Sequence, residues 1–278
     1  MQNMEFNDIQ NMDFSRYNPE GSMLRRDQKE LVKILKDLAE ICDKNNIRWW
    51  LSSGTLLGAV RHKGFVPWDD DVDIEMLKED YLKLKKILLE MESDEYFVQC
   101  KETDIEFIDT YIKFRRKEGR LDAKNRRSQH YKHAGLFIDV FCLEKTNYTA
   151  ARLSKTIYQE LQHLTVYVRI KWLRRFLIRF IEILCLGLII PVIRLFGKIN
   201  PKEEYHYQLG AGWYKNTFYL KDIFPLSTAE FEGVAFPVPK DTDAVLTSLY
   251  GDWRKLPSDD QIKESIHNRD YIREIYGE

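Results

Sequence analysis

The stretch GTLLGAVRHKGFVPWDDDVDIEM, residues 54–76, places Asp69, Asp70, Asp71 and Asp73 within five positions, shortly after Arg61, His62 and Lys63. Carboxylates this close repel one another, and each resists ionisation unless a cation sits among them. Side chains of an extended strand alternate between faces, so in DVDIEM the residues Asp69, Asp71 and Asp73 share one face while Val72 and Ile74 turn to the core. Asp70 points away from the other three. A further carboxylate is out of place: Asp139 lies between Phe137, Ile138, Val140 and Phe141, where burial without a partner is costly. It is either a surface residue of an edge strand or, beside the Asp-x-Asp strand, the third arm of one site. Two carboxylates two residues apart on one strand and a third from its neighbour converge on a hard, oxygen-seeking cation such as Mg²⁺ or Mn²⁺. That ion keeps coordination positions for substrate phosphate.

Two other readings of the cluster fare worse. An EF-hand loop starting at Asp69 needs glycine at its sixth position and glutamate at its twelfth, where this chain has Ile74 and Asp80. A merely solvated acidic loop has no need of Trp68, Val72 and Ile74 among its acids.

The elements that must carry these residues are legible from periodicity. Leu24, Leu31, Ile34, Leu35, Leu38, Ile41 and Cys42 recur at helical spacing and predict an amphipathic helix over 23–44. Short aromatic IRWWLSS (47–53) reads as a buried strand running into a turn at Gly54. After the DVDIEM strand, KEDYLKLKKILLEME reads as a helix with Tyr81, Leu84, Ile87, Leu88 and Met91 on one side. EYFVQC, FIDTYIKFRR and GLFIDVFCL read as three further strands. The fold class expected is α+β: a mixed sheet core with flanking helices and a mostly helical insertion. Residues 1–22 form a leader without the basic and apolar regions of a signal peptide. Residues 23–145 are expected to form the core that carries the acids, 146–200 the helical, basic and apolar insertion, and 201–278 a C-terminal lid or packing region.

The chain has 278 residues and a formal net charge of −1, composition enough for a substantial core. That near-neutral total hides a basic stretch, Lys113 to His133, with nine Lys/Arg against Glu118 and Asp122. It lacks the interleaved aromatics of single-strand binders, so nucleic acid is not the expected partner. Cys42, Cys100, Cys142 and Cys185 are far apart in apolar surroundings and read as reduced core thiols, which points to the cytoplasm.

WLSSGTLLGAVRHKGFVPWDDDVDIEM resembles the signature of the LicD family, which includes phosphocholine transferases of bacterial surface glycans and is related to the fukutin-type ribitol-phosphate transferases. YNPEGSMLRRDQKELVKILKDLAEICDKNNI, HAGLFIDVFCLEK and FEGVAFPVPKDTDAVLTSLYGDWRKLP also resemble segments of that family, in the expected order. The likeness omits only the region around 150–200. It implies a nucleotidyltransferase-like fold whose turn is Ser53, Gly54 and Thr55, whose paired acids are Asp71 and Asp73, and whose third acid is Asp139. It further implies a Mg²⁺-dependent phosphotransferase taking a phospho-alcohol from a CDP-linked donor to a hydroxyl of a glycan, of lipopolysaccharide, teichoic acid or capsule, or of its lipid-linked precursor. The interval from Gly54 to Asp71 is longer than the superfamily pattern. The cationic, Gly-broken RHKGFVPW that fills it is expected to be a loop bringing Arg61, His62 and Lys63 toward phosphate. Lys113 and Arg115, which YIKFRR places on one strand face, are candidate phosphate clamps or a solvated face. Trp68 is a candidate for stacking on a base or for the core.

Two other function classes stand beside this one. The first is a sugar-nucleotide glycosyltransferase using the cluster as its D-x-D, which the lack of a long preceding βαβ series disfavours. The second is an inactive glycan-binding relative, which the complete set of Asp71, Asp73 and Asp139 disfavours. In RIKWLRRFLIRFIEILCLGLIIPVIRLFGK the uninterrupted apolar run Ile183 to Ile193 is shorter than the roughly 20 residues that span a bilayer, and it contains Pro191. With Arg169, Lys171, Arg174, Arg175 and Arg179 beside it, the segment reads as an interfacial helix on the inner face of the membrane or as a buried hairpin. Near the C-terminus, a strand broken by Pro237 and Pro239 precedes a helix over 242–250 that Gly251 stops. Tyr250 and Trp253 there read mainly as core.

Overall fold

The computed structural model describes residues 12–199, 201–212 and 215–277; residues 1–11 of the expected leader lie outside that set. Helix α1 (Met23–Lys44) forms as its periodicity predicts. The Ser22 side chain caps it by accepting from the Arg25 N–H, and Leu24, Leu31, Ile34, Leu35 and Leu38 bury its inner face. The rest of the core is one mixed sheet. Its strands are β1 (Trp50–Leu51), β2 (Val72–Leu77), β3 (Tyr96–Gln99), β4 (Ile112–Arg116), β5 (Phe137–Lys145) and β6 (Tyr205–Tyr207). The order is β1-β2-β5-β4-β3, with β6 also paired to β5. Only β2 and β5 run parallel; every other pair is antiparallel. With helices α2 (Ser53–His62) and α3 (Lys78–Glu90) beside it, this is the α+β class expected.

The IRWWLSS stretch differs from its reading. Only Trp50 and Leu51 pair as strand, and Ser53, with φ +47°, opens a helix where a turn was expected. That helix runs through Arg61 and His62, so those two are helical, and left-handed Lys63 (φ +55°) closes it. The loop is confined to the residues that follow. Gly58 is what lets the chain fold back there: a Cβ on it would meet the Gly64 carbonyl oxygen at 2.3 Å and the Val66 amide nitrogen at 2.9 Å.

After β5 come α4 (Tyr148–Leu164), α5 (Lys171–Glu182), a π-helical stretch (Ile183–Ile189) and α6 (Ile190–Gly197). The last three make one continuous helix, Lys171–Gly197, long and apolar enough to cross a membrane by length and composition. Pro191 lies where the π-helical stretch passes into α6, and the helix continues through it. One face packs on α4 through Tyr158, Cys185, Ile190 and Ile193. Arg174 on that face donates to both Glu106 oxygens at 2.9 and 3.1 Å. The opposite face carries Trp172, Phe176, Phe180, Ile183, Leu188, Val192 and Leu195, all exposed, Trp172 at 70%. A buried hairpin is therefore not what this segment forms.

The remaining chain adds α7 (Leu220–Ile223), the hairpin β7 (Ser227–Phe231) with β8 (Val234–Val238), α8 (Thr242–Tyr250), α9 (Asp259–Ser265) and α10 (Arg269–Tyr276). Pro237 sits within β8 on a two-stranded edge, where no ladder bond is lost on its outer side. The main core cluster runs from Tyr17 to Tyr271, and through Tyr207, Phe231, Phe236, Leu246 and Trp253 the C-terminal elements share the interior of residues 23–145. Replacing Gly58 by Ala should destabilise the protein by about 1–3 kcal/mol, because the clash is with backbone that has no rotamer to relax into. Denaturant unfolding of the variant checks this, and an unchanged midpoint would contradict it.

Candidate active site

Register builds the site. Asp73 of β2 stands directly opposite Asp139 of β5, and Lys113 of β4 stands opposite Asp139 on its other side. Three neighbouring strands thus present carboxylate, carboxylate and ammonium in a row. Asp71 lies two residues before Asp73 on the same face, and ligand oxygens of Asp71, Asp73 and Asp139 all lie within 4.8 Å of one another. An all-carboxylate donor set of this kind fits a hard divalent cation, not a thiophilic one. Lys113 Nζ contacts both Asp139 oxygens, at 2.6 and 2.8 Å, and lies 3.5 Å from the Phe137 ring centroid.

Burial dominates the electrostatics. It pushes Asp73 well above the usual carboxylate range, with the charges of Asp71 and Asp139 adding to the effect. Asp139 rises to about 6 by the same burial, opposed by Lys113. Asp71 is also raised by burial, which the positive charge of His267 counteracts. Asp69 is likewise raised well above the usual range by burial and by the charges of Asp71 and Asp70, and its Oδ2 has no partner among the described residues. Four such groups cannot all ionise without added positive charge among them.

Local structure fixes each acid in place. Thr55 Oγ1 accepts from the Asp73 amide at 2.9 Å, and the Ser52 amide donates to the Asp73 carbonyl at 3.0 Å. Thr55 therefore holds strand β2 and is 1% exposed, away from any ligand. Gly54 is required by Asp69, because a Cβ there would meet Asp69 Oδ2 at 2.3 Å. Ser53 lines the cavity. Asp70 points away from its neighbours, as alternation predicts, and accepts from the backbone amides of His267 and Asn268 at 2.9 and 2.8 Å. The His267 ring nitrogen Nδ1 is 2.9 Å from Asp70 and 3.5 Å from Asp71; the Asp71 charge leads in raising it to about 10.

The site opens into a cavity of about 1320 Å³ lined by Ser53, Asp71, Asp73, Lys113, Arg115 and Asp139, among others. Arg115 faces it but is 4% exposed and donates to Gln99 and the Gly135 carbonyl, so its guanidinium is held by protein. Arg61 and His62 are not among the lining residues. Arg61 is 1% exposed and donates to the Trp253 carbonyl at 2.9 Å, while burial lowers it to about 10. His62 lies edge-on to Phe14, and burial with the Arg61 charge lowers it to about 3. The expected cationic loop is thus a helix end that ties α2 to the C-terminal segment. Trp68 is core, packed edge-on to Phe14 and Tyr17. Trp253 is buried, while Tyr250 lines the cavity.

Several residues of the site escaped sequence reasoning. Glu75 continues the alternation of Asp71 and Asp73 and accepts from Trp50 Nε1 at 3.1 Å and Tyr207 Oη at 2.6 Å. The D-x-D-x-E spacing carried that signal. His267 and Asp109 had none, since each reaches the site only through tertiary structure.

Raised carboxylates make the metal-free protein lose stability as pH rises. Asp73 binds a proton more tightly folded than unfolded, so its contribution is fully present below about pH 4 and is lost as pH climbs through its raised folded value. In EDTA the melting temperature should fall with increasing pH, and Asp73→Asn should flatten that fall without unfolding the chain. Adding a divalent cation should restore the wild type and not the variant. Parallel pH profiles for both proteins would rule this out.

Comparison with known proteins agrees with this geometry. Residues 46–173 match the model of the LicD/FKTN/FKRP nucleotidyltransferase domain. The chain is 25% identical to the lipopolysaccharide cholinephosphotransferase LicD of Haemophilus influenzae, across 90% of this chain and 98% of that protein. An uncharacterized protein of Rickettsia prowazekii is 46% identical over 80 residues, which cover 26% of this chain and 30% of that protein. Human ribitol 5-phosphate transferase FKRP is 45% identical over 40 residues, 14% of this chain and 8% of that protein. This chain therefore matches less than a third of the Rickettsia protein's length but nearly all of the Haemophilus one. The paired Asp71 and Asp73 and the adjacent Asp139 fall inside the matched segment, so residues 46–173 carry the LicD/FKTN/FKRP nucleotidyltransferase domain.

Proposed function

We propose that the protein transfers a phospho-alcohol, phosphocholine or a close analogue, from a CDP-linked donor to a hydroxyl of a cell-surface glycan or of its lipid-linked precursor. The observation that supports this most is the convergence of Asp71, Asp73 and Asp139 at the base of a cavity large enough for two substrates. A Mg²⁺ or Mn²⁺ ion held by those three residues would neutralise diphosphate oxygens. Lys113 keeps Asp139 oriented and offers its remaining protons to a phosphoryl oxygen. Asp139 would complete the metal site and either activate or orient the acceptor hydroxyl. Ser53, at the start of α2, lines the cavity and would contact the donor there.

The second part of this reading is peripheral association with the cytoplasmic leaflet through helix 171–197. Arg169, Lys171, Arg175, Arg194 and Lys198 flank its exposed apolar stripe, and Glu182, the one acid between 169 and 199, is buried. A spanning arrangement fits less well. The inner face is docked on α4 and tied by Arg174 to Glu106 and by the Arg179 guanidinium to the Lys101 carbonyl. Each flanking cation contributes roughly 1 kcal/mol at an anionic surface. The four buried free cysteines suit a reducing compartment.

Two measurements test these readings. Incubating the protein with CDP-choline, CDP-ribitol and UDP-sugars in the presence of Mg²⁺ should release CMP, and Asp71→Asn or Asp73→Asn should reduce release by at least about 100-fold. Release of UDP instead would favour the glycosyltransferase alternative. Sedimentation with anionic liposomes should be strong at low salt and weaken at high salt. No sedimentation at low salt would remove the membrane association, and resistance to salt and carbonate would indicate a spanning helix.

A further inference from the structure

The cavity has a second pole that phosphoryl transfer at the triad does not use. Its volume, about 1320 Å³, exceeds the roughly 300–1,000 Å³ of a pocket for one small ligand. The sheet face supplies the acids at one end. The walls away from the sheet are built from the 3-10 turn Arg126–His130, from α4 and from the loop after β6, and they contribute Arg126, Lys155 and Lys215. The acids lining the cavity are Asp71, Asp73, Asp109 and Asp139, none of them from those walls. Lys155 contacts Glu160, but that pair is exposed on the glutamate side, and such a contact restrains the lysine little. The cations that act on the triad are Lys113, Arg115 and His267, so the outer three remain available for a different anion.

Below this rim lies Arg127, 3% exposed, which donates to the Gln162 carbonyl and to Thr165 Oγ1 while its Nη1 has no partner. A buried guanidinium with an unused donor adds fixed positive potential to the same wall. The rim also meets the apolar surface. Tyr167 lines the cavity and is 70% exposed, and it stands between exposed Leu164 and Ile170 at the start of the stripe that continues through Trp172 and Phe176. A ligand bound here would have its anionic group among Arg126, Lys155 and Lys215, its polar end toward the triad and its apolar end along Tyr167.

We infer that this rim is a second anion subsite, and that it holds the phosphoryl junction of an acceptor whose glycan is linked through phosphate or diphosphate to a lipid carrier. The inference rests on the reading of the protein as a membrane-associated transferase and deepens it by assigning the acceptor's class. A soluble phosphorylated glycan would use the cations and leave the apolar margin at Tyr167 without a role.

The test is titration calorimetry on the full chain and on the Arg126→Ala/Lys155→Ala/Lys215→Ala variant, with circular dichroism to verify that the variant is folded. In EDTA, which removes any contribution from a metal, farnesyl diphosphate should bind the wild type at least ten-fold more tightly than inorganic pyrophosphate does. The variant should lose at least ten-fold in farnesyl diphosphate affinity while binding CDP in Mg²⁺ as the wild type does. Equal affinity of wild type and variant for farnesyl diphosphate would overturn the subsite. Equal loss of CDP would assign the cations to the donor and overturn it too. Equal affinity of the wild type for the two diphosphates would overturn the lipid assignment. Absence of CDP binding by the wild type is a separate result that counts against the donor reading, because the EDTA arm needs neither metal nor turnover.

Discussion

The parallel pairing of β2 with β5 is the constraint on which the rest of the molecule depends. It sets Asp73 beside Asp139 and, through β4, Asp139 beside Lys113. A slip of one residue would place Asp73 opposite Ile138 or Val140 and turn Asp139 into the core. Register here is chemistry as well as packing. It is specified because Val72, Ile74, Ile138 and Val140 are fully buried on the other face of the same two strands.

Concentrating carboxylates in a buried place works against folding, and much of the surrounding structure offsets that. Neighbouring backbone is satisfied by Thr55 and Ser52, so that β2 cannot relax away from its partner. Asp70 is held by two backbone amides and the ring of His267. Glu75, the next acid on the same face, is enclosed by Trp50 and Tyr207 and kept from adding a free charge. Buried ion pairs recur further out. Glu106 anchors Arg174, and Glu144, between Lys78 and Arg194, also accepts from the Leu209 amide at 2.7 Å. Breaking the Glu106–Arg174 pair, buried on both sides, one partner at a time would be strongly destabilising. These pairs fasten the amphipathic helix to the sheet despite its unburied outer face.

What was legible in the sequence was whatever periodicity or local chemistry encodes. Helix α1 and helix α8 end where their caps and Gly251 indicate, and the acids Asp71, Asp73 and Asp139 converge as alternation requires. The cationic insertion was misread because charge suggested exposure. Arg61 is instead buried by a contact with Trp253, 192 residues away, which no local pattern can announce. The apolar run 183–193 looked too short and too broken to matter as a long helix, because a π-helical stretch, invisible to a 3.6-residue period, carries the helix across it. Which face of that helix is left open depends on α4, and so on tertiary structure.

The bond between Asp70 and the amides of His267 and Asn268 also bears on biosynthesis. His267 and Asn268 lie 197 and 198 positions beyond Asp70. During translation the acidic strand leaves the ribosome 197 residues ahead of the first of these partners. A nascent chain therefore carries its concentrated negative charge without this restraint until residues 267 and 268 have emerged. The order in which a ribosome delivers residues makes closure of the acidic cluster a late event, one that a chain cut short before position 268 has no means of reaching.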